Sequence, residues 1–437
     1  MRAADYDVCI GCHGDLTGSG GAAVAGRGLA AACVSAGLRV LLLGISESAR
    51  PRSNDYLNTL PDTSDGTPQR NVIVTPRRVL WRMHNACIPG MLARQLKRTE
   101  RPRLAFVSFS PFWTVAAKRV WPRVPVLAHF CGVLSNCVTF ARDPEIRPGL
   151  WQRLADWATR RVERRAFAVA DRILVPTREH AAEVAAFVPG ARERIVENRE
   201  GCGRPPVSPA ARQQTRARLQ LDESRFVAAV LGSCDRNKAV DLAVREMPQM
   251  HTHVHLVVVG DGPERPRLER LATAQGVADR VHLVGFQQDV GTWLSAADCV
   301  VSTSQYDTFP NAIREAMRCG RPVVVPAHDP PHVYAGISGL LGREQAGLLY
   351  DRQRVGALAA CVNQLASDAG AAQLLAERGR QVAERMFLWD DTLRQLLALA
   401  GAEMPRGEQA HQVSGENGQH CEGGACTDSC EVAERLS

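Results

Sequence analysis

The sequence predicts an α/β protein made of two doubly wound parallel-sheet domains facing a central cleft. Three observations predict it. The first half opens with strand, glycine turn, helix and strand, which is a βαβ unit. The second half repeats that alternation. Between them, residues 200–212 hold Gly201, Gly203, Pro205, Pro206 and Pro209, the clearest linker signal in the chain. A length of 437 residues fits two or three domains at about 100–200 residues each. With 45% hydrophobic and 23% charged residues, collagen-like and wholly disordered classes are excluded.

Taken in order, Val8–Ile10 reads as the first strand and Gly18–Gly21 as the turn. Ala22 to about Ala36 reads as a helix stopped by Gly37, and Arg39–Leu43 as a buried strand. Residues 49–70 read as a long polar loop. Val72–Val74, Leu104–Ser108, Val124–Ala128 and Arg172–Val175 read as further strands. In the second half the strands are Phe226–Leu231, Val254–Val259, Arg280–Val284, Cys299–Ser302 and Pro322–Val325. Helical patterns at Asp241–Met247, Arg267–Gln275 and Ala312–Arg318 separate them. From Gly401 onward large apolar residues are scarce, so the composition predicts disorder.

No apolar stretch reaches the roughly 18 residues of a membrane span. Asp5 and Asp7 stand where a signal peptide carries basic and apolar residues, so secretion is not expected. Cys33, Cys137, Cys299 and Cys361 lie in apolar segments, as reduced thiols of a cytoplasmic protein do. Charge is uneven. Residues 1–200 hold 29 basic and 18 acidic side chains, a net of +11; the remaining 24 basic and 28 acidic leave −4. The two halves therefore face different partners. The only lysines are Lys97, Lys118 and Lys238, so the single lysine of the second half stands out.

The segment Val301–Val324 carries the chemistry. A strand leads into a loop bearing Asp307; Pro310 opens a helix, and Gly320 ends it. Backbone N–H groups around Phe309, Pro310, Asn311 and Ala312 then form a helix N-terminus suited to a phosphate. Asp307 and Glu315 flank it, and a carboxylate there accepts hydrogen bonds from paired sugar or ribose hydroxyls. The bland readings are a capping acid for Asp307, a surface acid for Glu315 and a surface cation for Lys238.

This segment resembles the acidic-x7-acidic motif of the retaining family-4 glycosyltransferases, whose fold, GT-B, is two Rossmann-like domains. Asp307 replaces the first Glu of that motif and Thr308 the adjoining Gly. Leu256–Pro263, Val281–Gly285 and Ala297-Asp298 look like further units of the family. Gly232–Asp241 is similar to its Gly-Arg-Leu-x3-Lys-Gly-x-Asp. Lys238 falls on the diphosphate-binding lysine, Ser233 stands at the family's Arg, and Arg236 substitutes for it. Gly20 and Gly21 fall on the family's donor-phosphate turn, and His129 near its active-site histidine. Phe387-Leu388-Trp389 resembles the final helix, which crosses back to the first domain.

The resemblance implies transfer of a sugar from a UDP- or GDP-sugar to an acceptor, with retention at the anomeric carbon and no metal. It implies catalytic roles for His129, Lys238 and Asp307. Donor contacts fall to Gly20, Gly21, Gly232, Arg236, Phe309, Pro310, Asn311 and Glu315. The domains expected are 1–204 for the acceptor, 205–385 for the nucleotide sugar, 386–401 for the crossover helix and 402–437 as tail. The acceptor stays open among a saccharide, a lipid-linked saccharide and a small molecule. The basic segment Trp151–Ala166 reads either as a solvated helix or as a peripheral contact with an anionic membrane at the inner face of the plasma membrane. No nucleic-acid partner is expected.

Two other function classes compete: an NAD(P)-dependent oxidoreductase built on Gly18–Ala23 with Glu47, and a non-catalytic sugar-nucleotide binder. Three further motifs are discounted. Cys9–His13 matches a haem-attachment string but lies on a predicted buried strand. Asp5-Tyr6-Asp7 precedes the first strand. Cys421, Cys426, Cys430, His411 and His420 fit no standard metal spacing.

Overall fold

Continuous apolar runs build the centres of two parallel sheets. The computed structural model describes residues 6–16, 20–47, 57–60, 69–74, 84–130, 132–140, 142 and 148–404. The expectations for Asp5, Gly18, Ser19 and almost all of the tail, with its cysteines and histidines, lie outside the described residues.

In the N-terminal lobe the strands are β1 (Val8–Cys12), β2 (Val40–Glu47), β3 (Leu57–Leu60), β4 (Gln69–Val74), β5 (Ala105–Phe109), β6 (Val126–His129), β7 (Arg172–Val175) and β8 (Ile195–Glu197). The helices are α1 (Gly21–Ser35), α2 (His84–Leu96), α3 (Pro111–Val120), α4 (Leu134–Phe140), α5 (Leu150–Val169) and α6 (Arg178–Phe187). The sheet order is β3-β4-β2-β1-β5-β6-β7-β8. Every pairing is parallel except β3 with β4. All five residues of β1 are buried, as expected of a strand covered on both faces. Two stretches inside the expected 49–70 loop are strand. Gln69 and Arg70 start β4, and β3 pairs with it from Leu57↔Val72 to Leu60↔Gln69. The polar sequence Gln-Arg-Asn that opens β4 hid the first of these.

The C-terminal lobe follows with α7 (Pro209–Arg218), β9 (Phe226–Leu231), α8 (Asp241–Glu246), β10 (Val254–Val259), α9 (Arg265–Ala274), β11 (Val281–Gly285), α10 (Val290–Ala296) and β12 (Cys299–Val301). Next come β13 (Tyr306–Asp307), α11 (Asn311–Arg318), β14 (Val323–Pro326), β15 (Tyr334–Ala335), α12 (Gly336–Glu344), β16 (Leu348–Tyr350), α13 (Ala357–Ser367), α14 (Ala369–Met386) and α15 (Trp389–Leu399). Its sheet, β11-β10-β9-β12-β14-β16, is parallel throughout. A separate ribbon pairs β13 with β15.

The last helix belongs to the other lobe's core. Leu393, Leu396 and Leu397 of α15 pack with Val8, Leu29, Val107 and Leu127. Trp389 fits where Gly28 and Gly201 leave room: a Cβ on either would sit 2.3 or 2.5 Å from its ring. Ligands of doubly wound sheets bind beyond the strands' carboxyl ends. In both lobes those ends carry the residues described next.

Candidate functional site

Lys238 lies in the loop after β9. Its aliphatic stem runs along Gly232, whose φ of +150° favours glycine. Its Nζ meets Asp307 Oδ2 at 2.5 Å, and its backbone N–H donates to Asp235 at 2.8 Å. Burial opposes the ammonium charge, but Asp307 and Asp235 outweigh it and hold the Lys238 pKa above the ordinary value. The pair stays open to solvent, with 29% of the Lys238 side chain and 18% of Asp307 exposed. An ammonium has three donors, so it retains N–H groups for a phosphate while bound to Asp307.

Two loops far apart in sequence are clamped to make this arrangement. Asn237 Nδ2 donates to the Tyr306 carbonyl at 2.9 Å, and Tyr306 N–H donates back to Asn237 Oδ1 at 3.0 Å. Gln305 Nε2 donates to the Arg236 carbonyl, and Thr303 Oγ1 to that of Lys238, both at 2.7 Å. The guanidinium of Arg236 faces Glu264 at 3.7 Å.

The helix α11 begins at Asn311, with Pro310 as its N-cap rather than its first helical residue. The first N–H groups of a helix have no intrahelical partner and form an anion site. Phe309 offers only its backbone there. Its ring is buried, edge-on to Phe387 and stacked on the Arg314 guanidinium. Glu315 is half-buried; burial raises its carboxyl pKa, and the charge of Arg314 opposes that rise. Across the cleft, Gly20 caps α1 and Gly21 opens it. A Cβ on Gly21 would lie 3.9 Å from Asn311 Nδ2, so the two helix N-termini face one another. Gly20 stands a whole loop beyond Cys12, not directly on the strand as a dinucleotide-binding turn requires.

His129 differs from expectation. It is fully buried at the end of β6, with Nε2 3.1 Å from Asn198 Oδ1 and Nδ1 3.1 Å from Glu200 Oε1. The chain entering the interlobe linker folds back over the strand end, so that Asn198 hydrogen-bonds Nε2 and the Glu200 carboxylate lies beside Nδ1.

Sequence reasoning missed what lies behind the histidine. Arg314 is wholly buried and ties α11 to the linker. It donates to the Glu200 carbonyl at 2.8 Å, the Gly201 carbonyl at 3.0 Å and the Glu200 carboxylate at 3.1 Å. Asn198 continues the network to Gln395 of α15 at 2.7 Å. A second bridge joins Tyr306 to the N-terminal lobe. Its hydroxyl donates to the Glu183 carboxylate at 3.0 Å and accepts the Val133 N–H. Asn136 also donates to Glu183, at 2.7 Å. Burial pushes the Glu183 carboxyl up to about 7 despite those bonds, with Glu163 adding to the rise. Arg314 next to the buried Ile313, and the polar pair Asn198 and Glu200 at the start of the linker, are the available signals.

Comparison with known proteins matches both lobes. A family model described as "Glycosyl transferase 4-like domain" matches residues 20–199, and one described as "Glycosyl transferases group 1" matches residues 225–368. A D-inositol 3-phosphate glycosyltransferase of Salinispora tropica is 31% identical over 259 residues, covering 55% of this chain and 52% of that one. The chain spans about half the length of the curated relatives it matches. Among solved structures, the sucrose-phosphate synthase of Thermosynechococcus elongatus superposes with a TM-score of 0.72 at 21% identity, over 90% of this chain and 97% of that one. The Anabaena protein HepE, in complex with UDP and glucose, gives 0.67 at 18% identity, over 91% and 99%.

Proposed function

The chain belongs to the group 1, family-4 glycosyltransferases and has their GT-B fold, and from that premise we propose that it moves a sugar from a nucleotide-diphosphate sugar to an acceptor with retention of anomeric configuration. The observation that carries this reading is the convergence of Lys238, Asp307 and the α11 N-terminus opposite Gly21.

A departing nucleoside diphosphate develops negative charge at its terminal phosphate. Lys238 and the amides at Asn311 and Ala312 supply preorganised positive potential there, the kind of stabilisation that lowers a transition state most. Gly20 and Gly21 let the α1 backbone approach the same phosphate from the other lobe. Glu315 accepts from the ribose hydroxyls, and Asp307 contacts the donor sugar while holding the ammonium in place. Arg236 lends charge at the rim. This division of labour needs no metal. His129 acts as a positioning residue: it sets Glu200, and through it Arg314 and α11. The donor is a UDP- or GDP-sugar, as the UDP complex of the structurally similar Anabaena protein favours.

The test is thermal melting with UDP, GDP and NAD, followed by donor turnover with an acceptor mixture and mass spectrometry of the product. A ligand that binds only the folded chain raises the melting temperature. A rise with a nucleoside diphosphate and none with NAD, together with a glycosylated product, is expected. A rise with NAD alone overturns the reading. Binding without turnover reduces it to a sugar-nucleotide binder.

A further inference from the structure

One feature of the N-terminal lobe takes no part in donor binding. The helix α5 runs 20 residues, about 30 Å at 1.5 Å per residue. Its inner face buries Ala158, Thr159, Glu163, Ala166 and Phe167. On the outer face, positions 150, 153, 157, 160, 161, 164 and 168 recur at helical spacing, and all are exposed. That face carries Arg153, Arg160, Arg161 and Arg164, with Arg165 at its edge, around two large apolar side chains. Leu150 is 69% exposed and Trp157 54%. The Arg161 guanidinium lies 5.6 Å over the Trp157 ring.

Among the described residues no acid of α5 shares its outer face, although the charge of Arg160 acts on Asp156 and Glu163 at the helix flank. Asp156 is held by Arg142 at 2.5 Å, and Glu163 points inward to accept the N–H groups of Leu134 and Ser135. Among the described residues, none of the five arginines forms an ion pair.

We infer that the outer face of α5 docks on the surface of an anionic bilayer, lying in the plane of the headgroups with Trp157 and Leu150 seated at the acyl boundary. Charge and apolarity together select this partner. Arginines spread along one helix face draw the lobe to anionic lipid, and a tryptophan among them suits the interface between headgroup and chain. A duplex nucleic acid would use the arginines but offers nothing to Leu150. No described helix is long and apolar enough to cross a membrane, so the contact lies on the surface.

It is the opposite, inner face of α5 that leads toward the cleft. Glu163 of α5 holds the N-terminus of α4, and Phe140 at the other end of α4 stacks on Tyr306, next to Asp307. The docking does not depend on the transferase reading.

The test is co-sedimentation of the full chain, without donor, with vesicles of phosphatidylcholine alone and of phosphatidylcholine and phosphatidylglycerol in equal parts. Binding to the mixed vesicles only is expected. It should weaken about tenfold or more in Arg161→Glu/Arg164→Glu and also in Leu150→Ser/Trp157→Ser, with circular-dichroism melting unchanged. Three results overturn the inference: no binding to the mixed vesicles, equal binding by the variants, or binding of a DNA duplex as tight as that of the vesicles. Because no turnover is measured, loss of docking and loss of transferase activity are read separately.

Discussion

The two lobes divide the candidate site unequally. The C-terminal lobe contributes it mainly as side chains, Lys238 and Asp307 set by the clamp between residues 236–238 and 303–306 and Glu315 on α11, beside that helix's N-terminus. The N-terminal lobe contributes it as backbone, through Gly20 and Gly21 at the head of α1. Side-chain chemistry is written in residue types and spacing, whereas a backbone contact is written only as the lack of a side chain. The same difference decides what a mutation does. Truncation should abolish function in one lobe, and enlargement should abolish it in the other.

The largest effect falls on the joint between the lobes rather than on either. Arg314→Ala leaves Glu200 buried with its charge uncompensated, and breaking a buried pair this way costs about 3–5 kcal/mol. Denaturant unfolding checks it; a loss under about 1 kcal/mol would mean that the joint does not hold the lobes together.

Next come the side chains of the C-terminal lobe. Lys238→Ala should cut transfer by about 10²–10³-fold, the loss typical of one preorganised donor at a developing negative charge. The fold should be intact by circular dichroism. Glu315→Ala should lower donor affinity more than turnover at saturation. Full activity in either variant removes that residue from the site.

For the N-terminal lobe the contrast predicts the reverse sense. Gly21→Val should raise the donor KM, since its new methyl groups reach toward Asn311, while Gly21→Ala should be nearly neutral in space. Equal behaviour of the two variants would break the claim that this lobe works through close backbone approach.

A separate effect, read in stability rather than in transfer, is a pH dependence at the Tyr306 bridge. Glu183 titrates near 4.5 when unfolded and near 7 in the fold. The folded chain therefore binds more protons between those values, and this group's contribution to stability falls as pH rises from about 4.5 to about 7. Glu163, His180 and Tyr306 face the same carboxylate; burial raises the pKa of Glu163 and Tyr306 and lowers that of His180 to about 3. Glu183→Gln should remove that slope, so the variant gains on the parent between about pH 5 and about pH 8. Parallel stability curves would place the proton elsewhere.

Most of both sheets was legible in the sequence, and for one reason. Strands buried on both faces, such as Val254–Val259, are near-continuous apolar runs, interrupted there only by His255, and few other elements imitate them at that length. The elements that escaped are short or polar. Leu57–Leu60 sits inside a polar stretch, and Tyr306–Asp307, Tyr334–Ala335 and Leu348–Tyr350 run two or three residues each, too few to show a period. The candidate donor-side residues could be named from sequence because two short loops and one helix of the C-terminal lobe carry them. The joint was not, because Arg314 meets Glu200 across more than a hundred residues, and a buried arginine looks in sequence like an exposed one. His129 shows the same limit: its place at a strand end was readable, but not that Asn198 and the Glu200 carboxylate would close over its ring.

Calorimetric titration of UDP, GDP and NAD into the parent chain, Lys238→Ala and Glu315→Ala tests the central claim most directly. The account predicts that a nucleoside diphosphate binds the parent, binds each variant at least about tenfold more weakly, a difference of about 1.4 kcal/mol, and that NAD does not bind. Unchanged affinity in both variants, or binding of NAD alone, would contradict it.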